Sequence, residues 1–265
     1  MADASPSAAI TAVADGPVLE VTIDRPKANA IDAATSRVLS RVFADFRDDA
    51  DLRVAILTGA GDRFFSAGWD LNAAAEGEDF EADYGEGGFS GFGELPGLLK
   101  PVIAAVNGMA IGGGFEIVLA ADLVVAAAHA RFWLPEASLG LVPDSGSVRL
   151  PRMLPPVVAN EILYGGRRLD AAQALRWGLV NSVVDASDLM SESRALAARV
   201  VEAAPLSVAA VSEIRNRTVH LPLPEAFKLL RSGDVAAYEA MLASDDAAEG
   251  PKAFTEGRTP RWQGR

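Results

Sequence analysis

The sequence predicts an α/β protein, in which a layered core of buried strands and helices is followed by a C-terminal third that is all helix. Three observations support this fold class. Strand-like runs and glycine turns recur at uneven spacing as far as about Asn181, strand signals vanish beyond Val184, and half of the 265 residues are hydrophobic. A chain of this length is able to bury a large core.

The first predicted elements are a strand, a helix and a second strand. Residues 18–23 alternate apolar and polar side chains, which is the period of a half-buried strand. Residues 33–47 carry apolar side chains at helical spacing behind Asp32, a residue type that commonly caps a helix N-terminus. Residues 53–58 are rich in β-forming side chains and end at a glycine turn.

The central part of the chain predicts a buried strand, a glycine turn and a buried helix. Residues 101–106 form the strand, and the triple glycine at 112–114 forms the turn. Residues 115–121 are apolar on nearly all sides, which is typical of a helix enclosed by other elements. A further strand is expected at residues 123–127.

The remaining predicted elements are helices. Asp170 and Gln173 match a capping box at the start of a short helix, residues 171–177. Three longer helices are expected at residues 188–203, 206–218 and 224–243. The polar, proline-rich end at 245–265 holds too few apolar side chains to pack alone. We therefore expect it to lie on a neighbouring surface, and the protein to form oligomers.

The charge balance excludes one class of partner. Lys plus Arg number 24 against 36 for Asp plus Glu, which gives a formal net charge of −12. Such a field repels phosphate backbones, so we expect no nucleic-acid partner. An anionic ligand would have to be held by local donors.

The composition also bears on compartment and membrane contact. The chain has no cysteine, which removes disulfides and thiolate nucleophiles and agrees with a reducing compartment. Residues 1–16 lack the basic and apolar regions of a secretory signal, so the predicted location is cytoplasmic. The most apolar run, 118–130, is interrupted by Asp122 and is shorter than a membrane helix requires. No membrane association is expected.

The first candidate site is the triple glycine followed by Glu116. Glycines allow close backbone approach, and the free N–H groups of a first helical turn point at negative charge, as an oxyanion hole requires. The alternative is an ordinary tight turn that merely needs small residues. Glu116 favours a site, because a carboxylate on an otherwise apolar helix needs either a buried partner or a function.

The second candidate is Glu136, which follows Pro135 directly after the strand-like residues 131–133. Proline fixes the turn and places the carboxylate where a strand gives way to a loop, a common position for functional residues. The alternative is a carboxylate that interacts with the N-terminal dipole of a helix. Glu116 and Glu136 are able to face each other across a cleft, although the sequence alone does not place them there.

The third candidate is the small-residue turn at 64–71, where the amide of Trp69 is a possible second oxyanion donor; the alternative is an ordinary turn.

The sequence lacks the residue patterns that other kinds of active site require. The glycines at 59–61 do not form a dinucleotide fingerprint, no nucleophile elbow occurs, and no cluster has metal-ligand spacing. His129 and His220 are the only histidines. The two glutamates are thus the best acid/base pair available, and no metal is predicted.

These motifs together resemble the crotonase, or enoyl-CoA hydratase/isomerase, family. Four segments occur in family order and span nearly the whole chain: residues 25–30, 66–71, 107–116 and 135–140. The resemblance implies a crotonase-type superhelix of strand-strand-helix repeats with a C-terminal helical trimerisation region. It also implies a homotrimer or a dimer of trimers. We therefore divide the chain into a core with the CoA and acyl site, 1–200, and a helical oligomerisation region, 201–265.

The resemblance implies roles for named residues. The amides of Trp69 and Gly113 would hold the thioester carbonyl as an oxyanion hole. In a dehydration, Glu136 would remove the proton next to the thioester and Glu116 would protonate the departing hydroxyl. No cofactor is implied, because coenzyme A is part of the acyl-CoA substrate. The segments that cradle CoA in the family match Lys27, Ala28, Ala67, Asp70 and Leu71.

Within the family, the resemblance is closest to hydratases whose acyl group carries a trimethylammonium, and it includes residues 142–146, 174–178 and 260–265. The implied activity is an acyl-CoA hydro-lyase that reversibly dehydrates such a thioester. A general short-chain enoyl-CoA hydratase, a double-bond isomerase and a non-catalytic thioester-binding subunit remain alternatives.

Two departures from the family pattern affect binding. Phe254 is followed by Gly257 and Arg258 where many members place a lysine that approaches CoA phosphate, which puts phosphate recognition there in doubt. Residues 144–147 lack the double glycine of many hydratases, so a different floor of the acyl pocket is expected.

The acidic loop, residues 76–94, gives a clue to the substrate. It holds seven carboxylates and no basic residue, with aromatic side chains interleaved: Phe80, Tyr84, Phe89 and Phe92. Aromatic faces and carboxylates both attract a quaternary ammonium. Our hypothesis is that the loop selects a cationic acyl group; the alternative is a solvated acidic surface.

Overall fold

The larger of two sheets, in a computed structural model that describes residues 9–265, has central strands that are apolar along nearly their whole length. Four of its neighbouring pairs are parallel, and only β1 and β2 pair antiparallel. Strands buried on both faces have no need to alternate, which explains their continuous apolar runs. The order of strands is β1 (Ile10–Asp15), β2 (Val18–Ile23), β3 (Val54–Gly59), β5 (Val102–Val106), β7 (Leu123–Ala127) and β10 (Ser182–Val184).

A second, smaller sheet consists of short strands that alternate in sequence with strands of the larger sheet. Its order is β4 (Phe64–Ser66), β6 (Met109–Ile111), β8 (Arg131–Trp133) and β9 (Leu169–Asp170). The first three of these strands pair in parallel, and β9 pairs antiparallel with β8. Each of these three strands follows a strand of the larger sheet and precedes a helix, which gives the predicted strand-strand-helix repeat. The helices are α2 (Leu71–Ala75), α3 (Gly113–Ala120) and α4 (Asp144–Met153).

The predicted helix behind Asp32 is confirmed as α1, Ala33–Asp48. The Asp32 side chain accepts a hydrogen bond from the amide of Thr35 at 2.7 Å and so satisfies an N–H group that the helix itself leaves free. Phe43 and Phe46 are fully buried, which is the contribution of α1 to the hydrophobic core.

The capping box is confirmed at the start of α6 (Ala171–Arg176), which follows α5 (Pro156–Gly165). Asp170 accepts from the amide of Gln173 at 2.8 Å, and the Gln173 side chain accepts from the amide of Asp170 at 3.1 Å. Two donors are satisfied reciprocally, so six residues suffice to form this helix.

The C-terminal helices are α7 (Leu189–Glu202), α8 (Pro205–Thr218), α9 (Leu223–Leu230), α10 (Ala236–Leu242) and α11 (Asp245–Glu256). The prediction of one helix at 224–243 was wrong. The chain turns at Gly233, whose φ is +83°, and the amide of Asp234 donates to the Ser232 hydroxyl at 3.1 Å. Helix α9 ends at Leu230, and the left-handed conformation of Gly233, which glycine adopts without a steric cost, lets the chain turn before α10.

The prediction for the end of the chain was also wrong in part, because residues 245–256 form a helix and the tail folds back onto its own region. The buried Asp246 carboxylate accepts from the amides of Gln263 and Gly264 at 2.7 and 2.9 Å. Trp262 donates from its indole to the Glu202 carbonyl at 2.8 Å. Polar bonds thus hold a segment that is sparse in apolar side chains.

Spatial contacts between Cα atoms divide the chain into two compact units. One runs to Leu98 and includes Val102–Ala197, and the other comprises Leu99–Pro101 with Ala198–Arg265. The predicted division at residue 200 into a site-bearing core and an oligomerisation region stays a prediction. Within residues 9–265, no helix alone is long and apolar enough to cross a membrane; the bent pair 186–202 and 205–218 reaches that length and hydropathy only together.

Candidate active site

The glycine turn at 112–114 brings two backbone segments into closer contact than any side chain allows. Gly112 has φ +56° and ψ −129°, and α3 begins at the next residue. A Cβ on Gly114 would lie 2.1 Å from the carbonyl oxygen of Ser66, and one on Gly68 would lie 2.5 Å from the amide nitrogen of Gly113. Glycine is therefore required for the start of α3 to pack against the segment after β4.

Glu116 lies in the first turn of α3 and is 9% exposed. Its Oε1 accepts a hydrogen bond from the amide of Gly146, in α4, at 2.7 Å. A Cβ on Gly146 would lie 3.3 Å from that oxygen, so glycine leaves room for this contact. One carboxyl oxygen is thus fixed by the backbone.

Glu136 begins a short 3₁₀ turn, Glu136–Leu139, and is 8% exposed. Its Oε1 would contact a Cβ on Gly112 at 2.7 Å, which places this carboxyl against the glycine turn. Its Oε2 is buried and has no hydrogen-bond partner within residues 9–265. Glu136 does lie at the start of a helical turn, as the alternative interpretation expects. An interaction with the helix dipole, however, does not explain why a carboxyl oxygen is buried without a hydrogen-bond partner.

Burial raises the pKa of both carboxyls. The pKa of Glu116 rises to about 8, chiefly through desolvation and further through the charges of Asp144 and Glu136, while the Gly146 amide acts in the opposite direction. Desolvation likewise raises the pKa of Glu136 to about 7, and Asp144 adds to the rise. Near neutral pH, one carboxyl is therefore able to be ionised while the other is protonated, which is a pattern typical of acid/base sites.

Both glutamates line one cavity of about 680 Å³. Trp69 and Gly113 line it too. Ile31 and Trp69 form an isolated parallel bridge, but its two hydrogen bonds are made by the residues on either side of Trp69. The Gly68 carbonyl accepts from the Ile31 amide, and the Asp70 amide donates to the Ile31 carbonyl. Neither the Trp69 nor the Gly113 amide has a partner among the described residues. The residues of the two predicted oxyanion donors thus line one cavity, and their amides form no bond to the described part of the chain.

The predicted CoA residues fall into two groups. Ala67 and Leu71 line the cavity, whereas Lys27, Ala28 and Asp70 do not. Ala28 accepts from the amide of Ala67 at 2.9 Å and so lies directly behind the lining.

Asp70 has a structural bond that the sequence did not indicate. It caps α2 by accepting from the Asn72 amide at 2.9 Å, and it pairs with the Arg25 guanidinium at 2.5 Å. Arg25 and the Asn72 groups lower the pKa of Asp70 below its usual value, against desolvation, the largest single influence. Its carboxylate therefore organises the loop rather than facing the cavity.

The acidic loop forms one wall of the cavity. Phe80, Tyr84 and Phe89 line it, while Phe92 instead lies in the core with its ring centroid 4.7 Å from that of Phe43. The ring of Tyr84 meets that of Phe89 edge-on at 5.4 Å, and the Tyr84 hydroxyl donates to the Phe80 carbonyl at 2.9 Å. The loop is therefore not only a solvated surface.

Sequence reasoning missed several lining residues, which follow Glu136 in the chain or pair with β6. They are Trp133, Ser138, Leu139, Leu141 and Val142. Their proximity to Pro135-Glu136 was the available signal. No group of three or more His, Asp or Glu side chains suited to a metal ion occurs within residues 9–265.

A repeat of strand, strand and helix that carries two buried carboxyls beside free amides defines an α/β protein with an acid/base cavity. The chain belongs to the enoyl-CoA hydratase/isomerase family, which matches residues 14–265. Its fold is that of an enoyl-CoA hydratase from Mycobacterium tuberculosis, with a TM-score of 0.87, 39% identity and coverage of 97% and 99% of the two chains. An enoyl-CoA hydratase from Bacillus anthracis superposes with a TM-score of 0.88 at 32% identity, and the match covers 97% of this chain and 100% of that one. The family and fold predictions are confirmed.

Curated relatives are more similar still in sequence. The chain is 59% identical over 251 residues to a carnitinyl-CoA dehydratase of Citrobacter koseri, which covers 94% of this chain and 96% of the relative. It is 58% identical over 252 residues to a carnitinyl-CoA dehydratase of Salmonella typhi, and this match covers 95% of this chain and 97% of the relative. The match is therefore to whole relatives and not to a shared segment.

Proposed function

We propose that the protein reversibly dehydrates carnitinyl-CoA to crotonobetainyl-CoA. The observation that carries the proposal is the pair of buried glutamates, Glu116 and Glu136, with raised pKa values at one cavity. The similarity to relatives named carnitinyl-CoA dehydratase supports the choice of acyl group. The names of the relatives thus indicate the substrate, and the cavity contains the residues proposed as acid and base.

The proposed reaction passes through a thioester enolate. The amides of Trp69 and Gly113 donate to the thioester oxygen and stabilise the charge that develops there; the loss of one such donor typically costs about 3–4 kcal/mol of barrier. Glu136 takes the proton from C2, and Glu116 gives its proton to the hydroxyl that leaves C3 as water. Hydration reverses both transfers.

The raised pKa values of both carboxyls support an acid/base pair. Desolvation raises the pKa of Glu136 to about 7 and that of Glu116 to about 8, so the pair is able to hold a single proton near neutral pH. In the dehydration direction the base must be charged and the acid protonated, and that state is most populated between these two values. The hydrogen bond from Gly146 fixes the orientation of the acid, whereas the unpartnered Oε2 of Glu136 is available to accept a proton.

The acidic loop supports a cationic acyl group over a neutral one. Tyr84 and Phe89 present aromatic surface to the cavity, and Glu81 and Asp83 add negative charge to the same wall. A trimethylammonium gains from both, with cation–π contacts worth about 0.5–2 kcal/mol each. A general short-chain hydratase or an isomerase would gain nothing from this charge.

CoA is proposed to enter along the segments 25–30 and 66–71. Ala67 and Leu71 contribute to the cavity, and exposed Lys27 supplies a positive charge near Ala28 for a phosphate. Arg258, the alternative cation near the C-terminus, is already paired with Glu249 and Glu256, each at 2.6 Å. We therefore assign phosphate contact to Lys27 first.

A homotrimer or dimer of trimers in the cytoplasm is proposed as the assembled form. Large apolar side chains are exposed along the C-terminal helices, which is unfavourable for a monomer in water. They are Val211, Val219, Leu223, Phe227, Leu242 and Phe254. Light scattering coupled to gel filtration tests the mass, and a monomer at micromolar concentration would contradict the assembly.

Turnover of a small acyl-CoA panel tests the proposed activity. We expect carnitinyl-CoA to be dehydrated with a higher kcat/KM than 3-hydroxybutyryl-CoA, because only the former offers a cation to the acidic loop. A higher kcat/KM for the neutral substrate would instead favour the general hydratase. Migration of a double bond without water exchange would favour the isomerase, and the absence of turnover on every thioester that binds would favour the non-catalytic subunit.

A further inference from the structure

The chemistry of the proposed substrate restricts where its positive charge lies. In carnitinyl-CoA the ammonium nitrogen is joined to C4, directly beside the C3 that loses the hydroxyl. Two bonds at a tetrahedral angle place that nitrogen roughly 2.5 Å from C3. Whatever recognises the charge must therefore adjoin Glu116 and Glu136, and a distant part of the cavity wall does not reach it.

Asp144 occupies such a position. It is the first residue of α4 and lines the cavity that holds both glutamates. Two residues later, the Gly146 amide donates to Glu116 at 2.7 Å, so the start of α4 is fixed against the proposed acid. The charge of Asp144 acts on Glu116, on Glu136 and on Tyr84, and it raises the pKa of all three. It thus lines the same cavity as the acid/base pair and Tyr84, and its charge acts on all three.

Asp144 retains the capacity to bind a cation. Its Oδ1 accepts from the amide of Ser145 at 2.5 Å, and no Lys, Arg or His within residues 9–265 pairs with it. Arg149, on the same helix, is instead occupied by the Ser145 hydroxyl and the Gly93 carbonyl, at 3.1 and 2.7 Å. The Asp144 carboxylate is therefore not neutralised by the nearest guanidinium on its own helix.

The charge of the cavity lining also favours a positively charged ligand. Six carboxyl side chains and no Lys, Arg or His line the cavity, and Oε2 of Glu136, on a residue 8% exposed, has no partner in the described part of the chain. A buried carboxyl oxygen without a donor is costly unless a ligand approaches it. A cation near C4 would offset this excess of negative charge while leaving the two glutamates free to exchange protons.

We propose that Asp144 is the residue that selects a cationic acyl group, by serving as the fixed counter-charge of the substrate's quaternary ammonium, with the ring of Tyr84 beside it. This inference rests on the proposed function and deepens it. Asp144 takes no part in the proton transfers. A fixed charge outside the acid/base pair is needed, since a glutamate bound to the ammonium would be less available to protonate or deprotonate the substrate.

Binding of two unreactive thioesters of nearly equal shape tests the proposal without turnover. The probes are 4-trimethylammoniobutanoyl-CoA and 5,5-dimethylhexanoyl-CoA, in which carbon replaces the charged nitrogen, and titration calorimetry gives each Kd. We expect the full-length protein to prefer the cation. Asp144→Asn should weaken binding of the cationic probe at least about tenfold, and binding of the neutral probe by less than about threefold.

Two further variants control for charge and for folding. Asp144→Glu keeps the charge and should retain most of the preference, while Asp188→Asn removes an exposed carboxylate outside the cavity and should leave both constants unchanged. Equal weakening of both probes by Asp144→Asn would overturn the proposal, as would an unaltered preference. Loss of turnover on both carnitinyl-CoA and its neutral isostere, with binding intact, would instead make Asp144 a proton-transfer group.

The outcomes also separate this inference from the proposed function. Dehydration of carnitinyl-CoA by the wild-type protein, together with a preference that survives in Asp144→Asn, would overturn only the role of Asp144. A preference for the cationic probe that depends on Asp144, in a protein that does not dehydrate carnitinyl-CoA, would overturn the reaction and leave the recognition standing.

Discussion

The two walls of the cavity are built in different ways. The glycine wall, residues 66–69 and 112–116, consists of backbone segments in such close contact that a Cβ on Gly114 would lie 2.1 Å from another residue. The acidic loop has no strand or helix between Gly77 and Glu94, and its carboxylates Glu81 and Asp83 are exposed. The difference teaches that the proposed oxyanion donors and Glu116 are held by main-chain packing, while the aromatic rings proposed to assist Asp144 in specificity lie on a loop.

Removal of either proposed acid/base group is expected to have the largest effect. Glu116→Gln and Glu136→Gln should each lower kcat by about 10³-fold on cationic and neutral substrates alike, because the first variant removes the proton donor and the second removes the proton acceptor. Glu81→Gln makes the same change on the acidic loop and should cost less than about tenfold. Steady-state assays check this, and equal losses for all three variants would erase the distinction between the walls.

Disturbing the glycine wall should have the next largest effect. Gly114→Ala forces the start of α3 away from the Ser66 carbonyl and so misplaces the Gly113 amide, which should lower kcat by about 100-fold. Gly165→Ala is the matched control, since a Cβ there meets nothing within 4 Å. Thermal melting distinguishes a misplaced amide from a failure to fold, and full activity of Gly114→Ala would refute a close-packed oxyanion site.

The pH dependence should reflect Glu116 and Glu136 and not the acidic loop. Raised pKa values of about 7 for Glu136 and about 8 for Glu116 predict a bell-shaped kcat/KM for dehydration, with its maximum between them and about a tenfold fall per pH unit on either side. Stopped assays from pH 5 to 10 measure this. A flat profile across pH 6 to 9 would exclude the two carboxyls as the titrating pair.

Loss of an aromatic face on the acidic loop should have a smaller, selective effect. Tyr84→Leu removes the ring and should lower the kcat/KM ratio of carnitinyl-CoA to its neutral isostere by about threefold to tenfold. Tyr84→Phe keeps the face, loses only the hydroxyl's bonds to the Phe80 and Asp79 carbonyls, and should retain the ratio. If both variants behave alike, the hydroxyl and not the ring carries the effect.

The smallest expected effect is on stability. Burial raises the folded-state pKa of Glu136 from 4.5 to about 7, so between these values the unfolded chain binds fewer protons and stability falls as pH rises. Below pH 4.5 both states are protonated and the cost vanishes. Glu136→Gln should therefore add about 1–2 kcal/mol of unfolding free energy at pH 8, reduced by water in the cavity, and none at pH 4. Urea melts at both values test this.

Much of the fold was predictable because it depends on local patterns. The cap at Asp32, the capping box at Asp170 and the apolar run of β7 are all encoded within a few neighbouring residues. Strand β1 was missed because only its first residue is buried, so the chain shows no alternation there. Strands β4, β6 and β9 have only two or three residues, too few to display a period.

The sequence by itself determined the identity of the two glutamates, the glycines that approach another backbone, and the acidic, aromatic character of residues 76–94. These are properties of residue type and short spacing. Only the tertiary structure decided that Glu116 and Glu136, twenty residues apart, line one cavity with Tyr84 and Asp144 while Phe92 belongs to the core. Burial and proximity arise from packing between strands, and a pKa depends on what the folded chain places around a carboxyl.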